Sequence, residues 1–151
     1  QSRQGLFGDV MMEVDWSGGE VLKPLEKNKL EKNTLVIFTS DNGPWLNFGN
    51  HAGSAGGLRE GKQTVFEGGQ RVPAIMKWPG VIPPGTVNNK LASAIDLLPT
   101  LGAITGASLP AEKIDGINIL ALLKGDEAAN PRTNFLYYFN KNSLKIIHNY
   151  E

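Results

Sequence analysis

Asp41 and Asn42 close the apolar run Thr34-Leu-Val-Ile-Phe-Thr39, and Lys62 follows within the pair Gly61-Lys62. A carboxylate and an amide oxygen are hard donors of the kind that calcium and magnesium select. An ammonium flanked by glycine can come close to a tetrahedral oxyanion, where a charge-assisted hydrogen bond contributes ~1.5–3 kcal/mol. Together these residues suit sulfate or phosphate ester chemistry, and they supply only part of such a site. Each also has a plainer reading. Asp-Asn-Gly-Pro is an ordinary turn sequence, and local sequence alone favours the turn. Most lysines are solvated surface residues. The chemical reading requires Lys62 and the Asp41-Asn42 turn to lie together.

The other polar candidates carry less. Gly56-Gly-Leu-Arg-Glu-Gly61-Lys62-Gln63 mimics a phosphate-binding P-loop, but Gln63 stands where a hydroxyl should bind magnesium, and no strand leads into Gly56. Glu67 and Arg71 bracket Gly68-Gly69 and read as scaffold, each charge satisfied within a long loop. His51 lies in the glycine-rich stretch and can reach a ligand. His148, in a terminal strand, reads as a packing or surface residue. Neither histidine belongs to a visible catalytic triad. Arg59 and Asn47 are rim residues at most.

These side chains need elements to hold them. Thr34–Thr39 is a uniformly apolar strand, and ligands in open α/β sheets bind beyond the carboxyl ends of such strands. Before it, Val10, Val14, Val21 and Leu25 fall at helical spacing across 9–30, widened by Met11, Trp16 and Leu22. Gly18-Gly19 and Pro24 predict a helix kinked or broken near Pro24. Helix, short connection and apolar strand together make the αβ unit of a parallel sheet. Glycines cluster between Gly43 and Gly69 in one long loop, pinned by Trp45, Phe48, Leu58, Val65 and Phe66. A second strand is expected at 72–78, with Pro73 at its start. Asp96 reads as the N-cap of a helix with Pro99 in its first turn and Gly106 as its stop. A short helix is expected around 119–124. Phe135–Phe139 and Leu144–His148, flanking Asn140-Lys141-Asn142, give a hairpin signal.

The 151 residues are 40% hydrophobic and 20% charged, enough for one globular domain with a core. Fifteen basic residues balance fifteen acidic ones, so charge offers no attraction to nucleic acid or an anionic membrane. No apolar stretch nears the ~20 residues of a membrane-spanning helix. The absence of cysteine excludes disulfides and thiolate metal sites. A first residue of Gln and no apolar leader suggest a partial or processed chain.

Taken in order, the motifs resemble the type I, formylglycine-dependent sulfatases, in particular the arylsulfatases, of alkaline-phosphatase-like fold. The residues that carry this are Leu35-Val-Ile-Phe-Thr-Ser-Asp-Asn-Gly-Pro44, Asn50-His-Ala-Gly-Ser54, Leu58-Arg-Glu-Gly-Lys62, Phe66-Glu-Gly-Gly-Gln-Arg-Val-Pro73 and Trp78-Pro-Gly80. Asp96-Leu-Leu-Pro-Thr100 and Asp115-Gly116 resemble the next landmarks. The resemblance implies that Asp41 and Asn42 are two ligands of a calcium ion. It implies that Lys62 contacts the sulfate group and the nucleophile, and that His51 is a variable loop position able to touch substrate. It implies an α/β fold with a parallel or mixed sheet and flanking helices, present here in part. Residues 1–130 would be the C-terminal part of the catalytic domain and 131–151 the start of a small antiparallel subdomain.

The departures matter equally. The family nucleophile arises within C/S-x-P-x-R, and the one comparable string here, Ser108-Leu-Pro110-Ala-Glu112, ends in Glu and sits far downstream of the expected place. The family's N-terminal acidic calcium ligands, an upstream lysine and two catalytic histidines are also missing. The expectation is a sulfatase segment that is inactive alone and acts on a sulfated small molecule or carbohydrate. Its exposed strands would be covered by an N-terminal half or a second copy. Family habit points to periplasm, lysosome or secretion. The alternatives are a phosphatase or phosphonate hydrolase of the same superfamily, and a noncatalytic interaction module descended from a sulfatase.

Overall fold

Apolar residues at helical spacing build α1, Gly5–Lys27, in the computed structural model, which describes residues 2–139 and 143–149. Of the kink or break predicted near Pro24, the break does not occur: the helix is continuous through Gly18-Gly19 and Pro24. Pro24 lies close to the C-terminal end, so its missing N–H removes one bond without leaving a long helix beyond it. Its carbonyl accepts from both the backbone N–H and the side-chain amide of Asn28, at 3.0 and 2.7 Å. Lys29 then turns left-handed at φ 58°, and Leu30 N–H reaches back to the Leu25 carbonyl at 2.8 Å. This is a Schellman ending with lysine where glycine is usual. At the other end, the Ser2 backbone N–H donates to Asp9 at 2.6 Å and holds that half-buried carboxyl below its usual range. No residue of α1 is buried, and Trp16 and Val21 are each more than 60% exposed.

A 3₁₀ turn, Glu31–Asn33, leads into β1, Val36–Thr39. After the long loop and the one-turn helix α2, Glu67–Gln70, the chain returns as β2, Ala74–Lys77. The two strands pair antiparallel, with Val36 opposite Lys77 and Thr39 opposite Ala74. The sequence pattern suggests a parallel or mixed sheet, and between these two strands the pairing is antiparallel. A parallel return needs a crossover of a dozen or more residues, usually a helix, whereas residues 40–73 form only short turns. The chain therefore re-enters beside the end it left. Thr39 Oγ1 donates to the Pro73 carbonyl at 2.9 Å, Lys77 pairs with Glu31 at 2.8 Å, and Trp78 Nε1 donates to the Lys32 carbonyl at 2.9 Å. These close the first compact unit, Gln1–Trp78.

The second unit, Pro79–Glu151, is organised by a buried acid. Asp96 is fully buried, and it is not the side-chain N-cap of the following helix α3, Leu97–Thr105, as its position suggests. Its carboxylate instead accepts from the backbone N–H groups of Ser93 and Ile117, at 2.8 and 2.9 Å, and from the Arg132 guanidinium. Arg132 also donates to the Asp115 carbonyl at 3.0 Å. Thr100, one turn into α3, donates to the Asp96 carbonyl at 2.6 Å and accepts from Ile119 N–H at 3.0 Å. Gly106 stops α3 in the left-handed conformation, as expected. Ile119 and Leu122 are buried around the short helix α4, Leu120–Leu123. The expected hairpin is present as β3, Asn134–Phe139, paired antiparallel with β4, Ser143–Asn149, with a register shift at Tyr137/Tyr138. His148 pairs with Phe135 in that ladder, and the expected turn residues Asn140–Asn142 lie outside the described residues.

Apolar burial is sparse. Among the described residues the buried hydrophobic side chains are Ala52, Ile119 and Leu122. The accessible surface is 11196 Å². A compact monomer of this size exposes about 7,500 Å², and two separate compact units of half the size about 9,000 Å² together. Leu6, Val10, Met12, Trp16, Ile75 and Leu98 each leave more than half of their surface uncovered.

Replacing Asp96 by Ala strands Arg132 and two backbone donors, and should cost about 3–5 kcal/mol. The expected readout is a lower urea midpoint with early loss of amide-exchange protection at Ile117. Unchanged protection there would contradict the assigned role of Asp96.

Candidate active site

The loop spanning residues 40–73 hangs from the shared end of β1 and β2, and it is built by backbone packing on backbone. Gly43 N–H donates to the Gly69 carbonyl at 2.9 Å, Lys62 N–H to the Pro44 carbonyl at 2.9 Å, and Gly68 N–H to the Arg59 carbonyl at 2.8 Å. These bonds join three segments: the turn 41–44, the strip 59–64, and α2. A side chain is excluded at each junction. A Cβ on Gly43 would lie 1.8 Å from the Gly68 carbonyl oxygen, and one on Gly68 would lie 2.0 Å from that of Glu60. Equivalent atoms on Gly61 and Gly69 would meet the Pro44 and Gly61 oxygens at 2.5 and 2.4 Å. The glycines next to Lys62 therefore serve close packing of the chain, which differs from the freedom of approach that the sequence suggests.

This interlock bonds the Lys62 backbone to Pro44, two residues past Asn42. Ser40 Oγ donates to the Asn42 carbonyl at 3.0 Å and shapes the turn. Asp41 is exposed and Asn42 half-buried. Lys62 is exposed, flanked by Glu60 and Gln63 in left-handed conformations at φ 61° and 75°. Such φ values are uncommon for residues with side chains and are held here by their surroundings. Among the described residues Asp41 and Lys62 make no ion pair, whereas Arg59 meets Glu60 at 3.7 Å and Arg71 meets Glu67 at 3.8 Å. The scaffold reading of Glu67 and Arg71 agrees with that contact. Arg59 also stacks over Phe66, 3.8 Å from its centroid. Lys62 Nζ stands 5.7 Å from the centroid of Trp45.

His51 ends the 3₁₀ turn Leu46–His51 and is exposed. Among the described residues, no hydrogen bond or ion pair joins it to Asp41, Asn42 or Lys62. The turn is anchored at its far side, where Gly53 lies against the Phe7 ring of α1. Sequence reasoning treats Trp45 only as a loop anchor. The structure brings its ring within 5.7 Å of Lys62 Nζ, and its position immediately after Asp-Asn-Gly-Pro was the available signal.

Asp41 and Asn42 have the donor chemistry of a hard-cation seat. They do not complete one, since no group of three or more His, Cys, Asp or Glu side chains able to hold a metal ion occurs among the described residues.

The sulfatase family model matches residues 4–107. The chain belongs to the sulfatase family. Over 136 residues this sulfatase chain is 46% identical to bovine arylsulfatase A, covering 90% of the chain and 27% of that protein. Among solved structures it is similar to the PsFucS1 sulfatase of Pseudoalteromonas sp., with a TM-score of 0.87 and 34% identity over 94% of the chain and 28% of that one. It is also similar to a protein solved in complex with its substrate D-glucosamine-2-N,6-O-disulfate, with a TM-score of 0.72 and 26% identity over 92% of the chain and 28% of that one. The fold is a part of the alkaline-phosphatase-like fold, with the β1–β2 pair as a small antiparallel sheet. This sulfatase chain spans about a quarter of the length of the curated relatives it matches.

Gly68→Ala should break the interlock at a cost of about 1–3 kcal/mol or more, read as lost exchange protection at the Lys62 and Gly43 amides. Gly57→Ala, where a Cβ meets nothing within 4 Å, should stay within about 0.5 kcal/mol of the parent. Equal effects of the two substitutions would refute the packing assignment.

Proposed function

We propose that this chain is the C-terminal part of the catalytic region of a sulfuric ester hydrolase of the arylsulfatase type. The observation that carries the reading is the 2.9 Å hydrogen bond from Lys62 N–H to the Pro44 carbonyl. It joins the Lys62 backbone to the end of the Asp41–Pro44 turn, and this supports a reading in which the ammonium and the turn serve one site. In this reading the Lys62 ammonium donates to the sulfuryl oxygens of a bound ester and opposes their charge as the S–O bond breaks, a preorganised electrostatic role. Asp41 and Asn42 hold part of the shell of one calcium ion, which otherwise takes 6–8 oxygen ligands. When bound, calcium supplies further positive charge to the same oxygens. In this reading His51 meets the alcohol portion of the substrate. Residues 1–130 belong to the catalytic α/β domain and 131–151 begin the small antiparallel subdomain.

The substrate class we favour is a sulfated carbohydrate, supported by the sulfated sugar in one solved neighbour. The formylglycine nucleophile of the family has no counterpart in these residues, so the chain supplies binding and charge and needs a complement for turnover. The sparse apolar burial supports a complement that covers α1 and the β1–β2 pair.

The isolated chain should not cleave nitrophenyl sulfate with added calcium. Joined to an N-terminal sulfatase segment carrying C-x-P-x-R, it should show turnover that Lys62→Ala lowers by about 10²–10³-fold. Activity of the isolated chain, or a complemented Lys62→Ala variant at full rate, would overturn the proposal.

A further inference from the structure

Directly after the Asp41–Pro44 turn, the chain displays two aromatic rings. Trp45 and Phe48 pack edge to face, with centroids 4.7 Å apart and planes at 82°. Edge-to-face packing fixes both rings while leaving aromatic surface free for a third partner. Both remain open, Trp45 at 39% and Phe48 at 58% exposure. The Phe48 N–H donates to the Trp45 carbonyl at 3.1 Å, so one tight turn sets the pair. Lys62 Nζ lies 5.7 Å from the Trp45 centroid, within cation–π range. The same turn exposes the amides of Asn47 and Asn50 and the imidazole of His51.

We infer that Trp45 and Phe48 form a stacking subsite for the pyranose ring of a sulfated sugar, with Lys62 holding the sulfate at the edge of the stack. This rests on the sulfatase reading of Lys62 and adds a specificity determinant to it. The chemistry of the patch identifies the occupant. A pyranose presents an apolar C–H face that suits an indole, and a rim of hydroxyls that suits amide and imidazole groups. A plain apolar partner would leave Asn47, Asn50 and His51 without bonding partners once covered. Lys62 Nζ, over the indole at 5.7 Å from its centroid, leaves one face of the ring to the sugar and can meet an anionic substituent that reaches past the ring edge. Loss of the stack removes binding that substrate and transition state share, so the effect falls on KM rather than kcat.

The test uses the catalytically complete protein, D-glucosamine 6-sulfate as substrate and inorganic sulfate as competing ligand. Trp45→Ala should raise KM about tenfold or more with kcat within about twofold, and Phe48→Ala should shift KM in the same direction by less. Inorganic sulfate has no ring, so its inhibition constant should stay the same, and Trp45→Phe should recover most of the KM. If KM and the sulfate constant worsen together, Trp45 merely positions Lys62 and the inference fails. It fails also if neither moves, or if the parent protein binds the sugar sulfate no better than sulfate itself. Should Trp45→Ala not fold, Phe48→Ala decides: an unchanged KM overturns the subsite. Lys62→Ala separates the two readings. Full turnover there overturns the hydrolase proposal, whereas lost turnover beside an unmoved KM in Trp45→Ala overturns the subsite alone.

Discussion

Three stretches of backbone lie so close in this chain that four positions admit no side chain. Gly43, Gly61, Gly68 and Gly69 let the Asp41–Pro44 turn, the strip around Lys62 and α2 bond directly to one another. Every feature of the candidate site depends on that constraint. Peptide hydrogen bonds have narrow distance limits, so the lysine is placed relative to the acid–amide turn by the main chain itself. The long, exposed Lys62 side chain then starts from a fixed origin, which suits a group that must meet an anion. The left-handed Glu60 and Gln63 on either side follow from the same geometry, because the strip must bend sharply to keep its carbonyls facing α2.

The two compact units are held by different forces. In the first, the buried positions are largely glycine, with Ala52 as the buried apolar side chain among the described residues. Its order comes from peptide bonding and from anchors such as Trp78 on Lys32 and Thr39 on Pro73. In the second, Ile119 and Leu122 are buried beside a fully satisfied ion pair. Such a pair contributes little net stability against a hydrophobic replacement, but half of it is costly to leave behind. Neither unit buries apolar surface on the scale of a free-standing domain. That agrees with a chain spanning about a quarter of its sulfatase relatives.

Much of this was legible in the residues. Local patterns carry strands ending in Asp-Asn-Gly-Pro, a helix stopped by Gly106, and a hairpin after Pro131, because each depends on neighbours in sequence. The ordered motifs carried the family. What escaped was set by long-range contacts. Pro24 looks like a breaker, yet near a helix end its cost is small and Asn28 recovers its carbonyl. An apolar strand after a helix reads as parallel, but direction is decided by what the connection contains. Asp96 looks like a cap, and only the fold reveals that Arg132 and Ile117 come to it. The glycines beside Lys62 suggest room for a ligand, and the room is taken by neighbouring carbonyls.

The pairing of Asp96 with Arg132 also has a consequence in time. The partners are 36 residues apart, so on a ribosome the acid is made first. At ~5–20 residues per second the arginine follows roughly 2–7 s later. Throughout that interval the Asp96 carboxylate has no guanidinium, and burying it alone is prohibitive. Closure of the second unit must therefore wait for Arg132 to clear the exit tunnel, which makes this late arginine the clock of its biosynthesis.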